Sequence, residues 1–492
     1  MKNKVIKSLI IILTAWFVTG EIYAQTCRYW LDSFNNEASL MAGSVVGGNA
    51  DITAIYYNPA IIADIQNSKI SLSTSLFNIN DYSLKNAVGT NQDLKEWQFI
   101  VQPRFFSYLF RSKKFIDLSW EFAIFSRRSE QINTSLTVQY KTDILQTYPG
   151  QEQYTANIDY NFKYSDYWGG FGAAYRFNNE LSLGVSLLVS DKVLHYNYNL
   201  DINAFPTGSG ISDTSFYNAN WKHLEKIYQY NINLIWKIGI QYKAEQWSAG
   251  LNITTPSMYL WGNADVRKNY AQNDIKHQGS KIEDYIYNGA EKKARCRMKD
   301  PLAIAAGFVY KFPNKKVTLS LSAEYFQKIK PYLLIDARIN PNITTENDFE
   351  NMANKNFLSY STAANSVTNV AIGYKYIHSD KIELLGGFRT DFTYAKDIDY
   401  KSLSDYSFIK DIPLNVYHFS GGGKFNYKST SFILGLQFAF GHSKGNEQFI
   451  NTTEPVEYDP ATGLALQGAI SDDMIIRYYS IGVVLGISIG FN

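Results

Sequence analysis

The chain has 492 residues; 15% are aromatic and only 19% carry charge. Average usage is about 25% charged, so a disordered chain, rich in charge and poor in aromatics, is excluded. The two cysteines, Cys27 and Cys296, are too few for a disulfide scaffold, and a formal charge of +2 argues against a nucleic-acid partner.

Lys2, Lys4 and Lys7 precede an apolar run over 9–18 that is broken only by Thr14, and Ile22-Tyr23-Ala24 offers a cleavage site before Gln25. This is the pattern of a cleavable export signal over 1–24, too short to cross a bilayer as a helix. Its removal takes away three Lys and one Glu, leaving 44 basic and 44 acidic residues in a formally neutral mature chain. Gln25-Thr26 is a poor lead-in to lipidation at Cys27. Beyond residue 24 no apolar run reaches helix-spanning length, and stretches such as 302–310 and 478–491 are short or interrupted by Gly and Ser. An exported, aromatic-rich chain of this kind is a soluble β protein or a transmembrane β-barrel.

Residues 25–68 belong to no hairpin pattern. They read Ala42-Gly43-Ser44-Val45-Val46-Gly47-Gly48-Asn49-Ala50-Asp51, then Ala54-Ile55-Tyr56-Tyr57-Asn58-Pro59-Ala60. Small residues such as Gly43, Gly47 and Gly48 suit a backbone packed closely in a narrow space. Asn58-Pro59 favours a turn, because the residue before Pro is pushed out of the α region.

Alternation then predicts fourteen strands: 69–79, 96–109, 115–127, 166–177, 181–200, 230–242, 246–254, 301–312, 315–329, 366–377, 381–394, 413–427, 429–442 and 474–491. The last is the clearest, with Tyr479, Ile481, Val483, Leu485, Ile487, Ile489 and Phe491 opposite Tyr478, Ser480, Gly482, Val484, Gly486, Ser488 and Gly490. Segments 431–441 and 181–190 repeat the pattern. Tight turns at 111–114, 178–180, 243–245, 313–314, 378–380 and Lys428 alternate with long connections at 80–95, 128–165, 201–229, 255–300, 330–365, 395–412 and 443–473. That asymmetry is expected of an outer-membrane barrel, with short periplasmic turns and long external loops. An even-stranded closed barrel leaves no edge in lipid. Fourteen strands enclose a lumen too wide for the wall's own side chains to fill, so residues 25–68 are expected to fill it.

The hatch-like segment and the strand count together resemble the FadL/TodX family of outer-membrane transporters. Asn58, Pro59 and Ala60 stand as in that family's Asn-Pro-Ala motif, while the Gly that often follows it is Ile61 here. The resemblance implies an all-β fold: a 14-stranded antiparallel transmembrane barrel (69–492) with an N-terminal hatch in its lumen (25–68). It also implies passive uptake of hydrophobic small molecules, long-chain fatty acids or aromatic hydrocarbons, gated by the hatch, with release through a kinked third strand. No Gly or Pro marks a kink in 115–127, whereas Pro103 would break a ladder bond in the strand before it. Implied partners are outer-membrane lipid and lipopolysaccharide, the hydrophobic ligand and the outer-membrane insertion machinery, with no cofactor and a monomeric barrel. That machinery commonly reads a terminal aromatic residue, and here Phe491 is followed by Asn492. Some barrels of the family instead serve as docking or shuttle components for secreted proteins, which is the alternative function.

Enzyme chemistry has little support. The six His are scattered, without metal-binding spacing, and Gly421-Gly422-Gly423-Lys424 lacks the first Gly and the Ser/Thr of a phosphate loop. Neither catalytic nor metal-ligating residues are expected. If large apolar faces meet lipid, the lumen receives Gln98, Gln102, Arg104, Asp117, Glu121, Arg176, Lys237, Glu324, Lys375, Glu383, Arg389, Asp391 and Lys424. These either pair across the lumen and with the hatch, or one or two of Arg104, Lys237 and Arg389 hold a ligand carboxylate. Met258, Tyr259, Leu260 and Trp261 form either an external hydrophobic capture surface or an interfacial aromatic belt.

Overall fold

The computed structural model describes residues 27–491 except 32–35, 50–51, 66, 112–116, 149, 208–216, 339–353, 396–397 and 399–405. The export signal therefore lies outside the described residues, as do Ala50, Asp51 and most of the first tight turn. Chain order begins with short helices at Asn36–Leu40 and Ala54–Tyr57 and a 3-10 helix at Pro59–Asp64. Seven strands follow: β1 (Ser68–Lys85), β2 (Leu94–Arg111), β3 (Leu118–Thr142), β4 (Glu152–Arg176), β5 (Leu181–Pro206), β6 (Ala219–Lys243) and β7 (Trp247–Thr254). Then come β8 (Met258–Asn273), β9 (Lys276–His277), β10 (Ser280–Lys281), β11 (Tyr285–Cys296), β12 (Ala303–Lys311), β13 (Val317–Phe326), β14 (Ile329–Asp336) and β15 (Tyr360–Ala364). The last are β16 (Val367–Ser379), β17 (Ile382–Asp391), β18 (Val416–Tyr427), β19 (Thr430–Asn446), β20 (Val456–Asp459), β21 (Leu464–Gln467) and β22 (Met474–Phe491).

Fourteen of these, β1–β7, β12, β13, β16–β19 and β22, form an antiparallel barrel. It closes where β22 pairs with β1, from Phe491 opposite Ser68 to Ile475 opposite Lys85. Every expected strand falls on one of the fourteen. The tight turns lie at one end and the long connections at the other. No helix among the described residues is long and apolar enough to cross a membrane.

The upper boundaries differ from expectation, and polarity explains why. On β4 the outward face below residue 166 of the sequence pattern carries polar Gln153, Thr155, Asn157, Asp159, Asn161 and Lys163, whereas further down the strand it carries Tyr167, Phe171 and Tyr175. The inward face does the reverse: Tyr154, Tyr160, Phe162 and Tyr164 are buried at the outer end, Gly172 and Ala174 at the turn end. β5 inverts in the same way between Val189 and Asp191, and β6 between Lys226 and Tyr228. The turn-side half is greasy outside and small inside, as a wall in lipid must be. The outer half is a water-facing sheet around an aromatic core. Segments 128–165 and 201–229, expected as loops, are therefore mostly strand, with connections only at 143–151 and 207–218. Three of the other long connections hold strands too: β8 and β11 in 255–300 and β14 and β15 in 330–365 continue the barrel wall outward, and β20 and β21 in 443–473 form a separate hairpin.

Candidate functional site

Between residues 36 and 65 the chain lies against inward-facing residues all around the wall. Ser107 on β2 donates to Ile52 O (3.3 Å), Ser186 on β5 to Ile55 O (3.0 Å) and Ser420 on β18 to Leu40 O (2.8 Å). Ser44 meets Ser320 of β13 at 3.1 Å. Approach is close enough that the wall itself must be glycine: a Cβ on Gly307 would lie 2.2 Å from the Gly47 amide nitrogen, and one on Gly184 2.3 Å from the Pro59 carbonyl carbon. The small residues expected on the N-terminal segment are thus matched by small residues on the wall.

Asn58 is fully buried. Its Nδ2 donates to Val46 O (2.9 Å) and to Ile240 O on β6 (3.1 Å), while its Oδ1 accepts from Ala60 N (3.1 Å). That last bond caps the 3-10 helix Pro59–Asp64, with Pro59 at its first position, where a missing N–H costs nothing. Gly43 and Gly48 hold positive φ, 83° and 148°. Asn58, Pro59 and Ala60 therefore start a helix that leads toward β1, a more definite structure than the simple turn expected.

Ion pairs hold both ends of the segment. Glu37 accepts from Lys375 (3.0 Å) and Lys424, and both lysines also face Glu383. Asp64 pairs with Lys243 (3.0 Å) and Arg176 (3.2 Å). N-terminal to the segment, Arg28 reaches Glu130 of β3 (3.0 Å) and Asp391 of β17 (3.4 Å), and the Trp30 indole donates to Glu324.

The wall is not uniform. β2 pairs with β3 only from Phe105–Arg111 against Ser119–Phe125. Beyond Phe105 toward the outer end the two strands part. They are next linked by side chains, where Gln98 Nε2 donates to Gln131 O (2.9 Å) and Thr134 to Lys95 O (3.3 Å). Pro103 stands two residues past the last pair, where its missing N–H cannot extend the ladder. On β3 the register against β4 slips between Ser126 and Arg128. This bulge, which needs neither Gly nor Pro, swaps the strand's parity and turns both Arg127 and Arg128 inward.

Those two arginines were not among the expected lumen residues; Arg127 shares the parity of Asp117 and Glu121, whereas strict alternation turns Arg128 to the opposite face. Arg127 pairs with Asp166 (3.1 Å) and Asp300 (3.3 Å), Arg128 with the same two (2.9 and 3.1 Å), and Lys192 with Asp300. Arg127 also stacks over Trp168 at 4.5 Å. The cluster lies between the aromatic outer core and the N-terminal segment.

Glu121, Arg176, Lys237, Glu324, Lys375, Glu383, Arg389, Asp391 and Lys424 face the lumen as expected, and Gln98 is buried. Asp117 does not; it sits exposed at the turn before β3, and the side chain of Gln102 lies outside the described residues. Of the three cations considered for a ligand carboxylate, Arg104 and Arg389 line one cavity together, with Ile100, Ser129 and Glu130 from the two sides of the parted seam. Lys237 is elsewhere, donating to Thr254 Oγ1 (2.7 Å) beneath the Tyr56 ring. Arg389 donates to Leu31 O (3.0 Å). The cavity holds about 50 Å³, room for water and not for an organic ligand. A larger groove of about 1010 Å³ opens at the outer end, lined by Phe408, Ile409, Phe449, Leu464 and Met474 with a polar rim. Met258, Leu260 and Trp261 are not in it: they are exposed on the outer wall, where β8 continues outward from the apolar face of β7.

The closed fourteen-stranded antiparallel barrel is shared with solved structures. A Pseudomonas aeruginosa FadL homologue superposes with a TM-score of 0.58 at 12% identity, covering 96% of this chain and 100% of that one. The fold is that of the FadL/TodX barrels. The Pseudomonas putida toluene transporter TodX gives a TM-score of 0.54 at 12% identity over 94% of this chain and 99% of its own. The Ralstonia pickettii toluene transporter TbuX gives 0.52 at 12% identity, with the same coverage of 94% and 99%. No protein-family model matches the sequence, and no curated protein matches it.

Proposed function

We propose that this FadL/TodX-type barrel is a passive outer-membrane transporter for hydrophobic small molecules, long-chain fatty acids or aromatic hydrocarbons, with residues 25–68 as its hatch. The observation that carries the reading is the parted β2–β3 seam backed by the Arg104–Arg389 cavity. On this reading an apolar solute leaves through the wall there, with Arg389 and Arg104 holding its carboxylate. At about 50 Å³ the cavity is closed to such a solute, so passage requires the segment that seals it through Leu31 to move. The outer groove, with Phe408, Phe449 and Met474, supplies the capture surface in place of Met258–Trp261, which suits the interfacial aromatic belt.

Ser44→Cys with Ser320→Cys tests the movement, since the two hydroxyls stand 3.1 Å apart. Oxidation should abolish uptake of a fluorescent fatty acid or of toluene, and reduction should restore it. Full uptake by the cross-linked protein would rule out hatch movement. A second reading, docking of secreted proteins, is favoured by the water-facing sheet of β4–β6, β8 and β11, whose concave outer face encloses about 970 Å³. Surface cross-linking that captures an exported protein at Lys226 or Arg267, with no uptake defect in a deletion strain, would favour that role.

A further inference from the structure

Above the apolar belt the outward face changes chemistry abruptly along one side of the barrel. Ile304 on β12 and Tyr325 on β13 pair with each other and are exposed as the last large apolar residues of their strands. Directly beyond them come Lys328 and Lys330 after β13, and Arg295, Arg297 and Lys299 at the end of β11, all exposed. The last three alternate with buried Cys296 and Met298, so they share the outward face at a spacing of about 7 Å.

None of these five cations is ion-paired with a described residue. Aromatic rings orient three of them: Arg295 and Arg297 lie over Tyr259 at 6.0 and 5.0 Å, and Lys299 over Tyr332 at 4.2 Å. Tyr259 is itself fixed by donating to Gly262 O (3.2 Å). The neighbours Met258, Leu260 and Trp261 are exposed and apolar. Unpaired cations just above an apolar belt and an aromatic girdle stand at the height of lipid headgroups, and their long stems can lie along apolar surface while the charge reaches phosphate.

We propose that Arg295, Arg297, Lys299, Lys328 and Lys330 form a binding site for the phosphate groups of an outer-leaflet glycolipid of the lipopolysaccharide type. The proposal rests on the outer-membrane placement above. Charge complementarity selects this occupant: Arg binds phosphate in bidentate fashion, and the acyl chains of such a lipid would lie along Ile304, Phe308 and Tyr325 below. An acidic protein segment would gain the charge contacts but would leave that apolar surface to other lipids.

The test is native mass spectrometry of the detergent-purified full-length protein titrated with bisphosphorylated lipid A and with its dephosphorylated form. The wild type should retain the phosphorylated lipid at least tenfold better. Replacing Arg295, Arg297 and Lys299 together by Gln should weaken retention about 100-fold. Replacing Lys315, Lys316 and Lys428 by Gln, an equal charge change at the tight-turn end, should alter it less than twofold. Equal retention of the two lipids, an unaffected triple variant, or displacement of the lipid by low concentrations of polyglutamate would overturn the site. Each variant is first shown to run heat-modifiably and to insert into liposomes. A wild type that does not insert would overturn the membrane reading itself, a result separate from failure to prefer phosphate.

Discussion

Asn58 joins the N-terminal segment to itself and to β6 through three hydrogen bonds made in full burial. Asn58→Ala strips the buried carbonyls of Val46 and Ile240 of that donor and removes a helix cap, at a cost of about 1–3 kcal/mol. The expected outcome is an inserted barrel with a protease-sensitive N-terminus, and full protection would contradict it. Gly307→Val drives a side chain into the Gly47 backbone and should loosen the segment in the same way, by about 1–3 kcal/mol of overpacking. In the water-facing outer half, burial would raise the Glu225 carboxyl, but the hydrogen bond from His223 and the Lys268 ammonium outweigh it and hold the group at about 2. Tyr270 and Tyr360 donate to it as well (2.6 and 2.9 Å). A carboxyl depressed below its unfolded value of about 4.3 contributes stability that is complete above that value and lost as pH falls toward 2. Hydrogen-exchange protection around β6 and β8, taken relative to the intrinsic exchange rate at each pH, should therefore fall between pH 4.5 and 2, and less so in Glu225→Gln. Asn58, Pro59 and Ala60 were legible because Asn-Pro is a local signal. Arg128 was not, because only a bulge turns it to the same side as Arg127, and a bulge depends on both partner strands.

At the scale of the strand, one face can be greasy at one end and polar at the other. The lipid-facing halves of β4, β5, β6, β19 and β22 were legible from alternation, since lipid demands apolar residues at every second position. Their outer halves were not, because polar-out, aromatic-in alternation contributes nothing to a search for greasy stripes, and Asn- and Asp-rich strands resemble loops. The inversion makes a direct prediction on β4. Phe171→Lys places a charge in lipid and should destabilise the inserted barrel by about 2–4 kcal/mol. Asn161→Lys, on the same face ten residues nearer the outer end, should cost almost nothing. Urea unfolding from lipid vesicles measures both, and equal effects would mean that the belt is misplaced. The seam belongs to this scale too: Pro103 pointed to a broken ladder, and the break is found beside it, but the slip at Ser126 was invisible without the partner strand.

For the whole molecule, the wall supplies closure, and the N-terminal segment is the proposed seal. Fourteen strands close without an edge, and their inward faces carry glycine and serine where the segment passes. Ion pairs at Glu37, Asp64 and Arg28 fasten it to opposite sides of the barrel. Removing it leaves every ladder intact, so the barrel should still insert. The decisive measurement is single-channel conductance in planar bilayers of a variant lacking residues 27–60, shown beforehand to be heat-modifiable. The expected result is a stable open pore of much higher conductance than the parent, together with sensitivity of the cells to large antibiotics. An inserted deletion variant that conducts no more than the parent would contradict it.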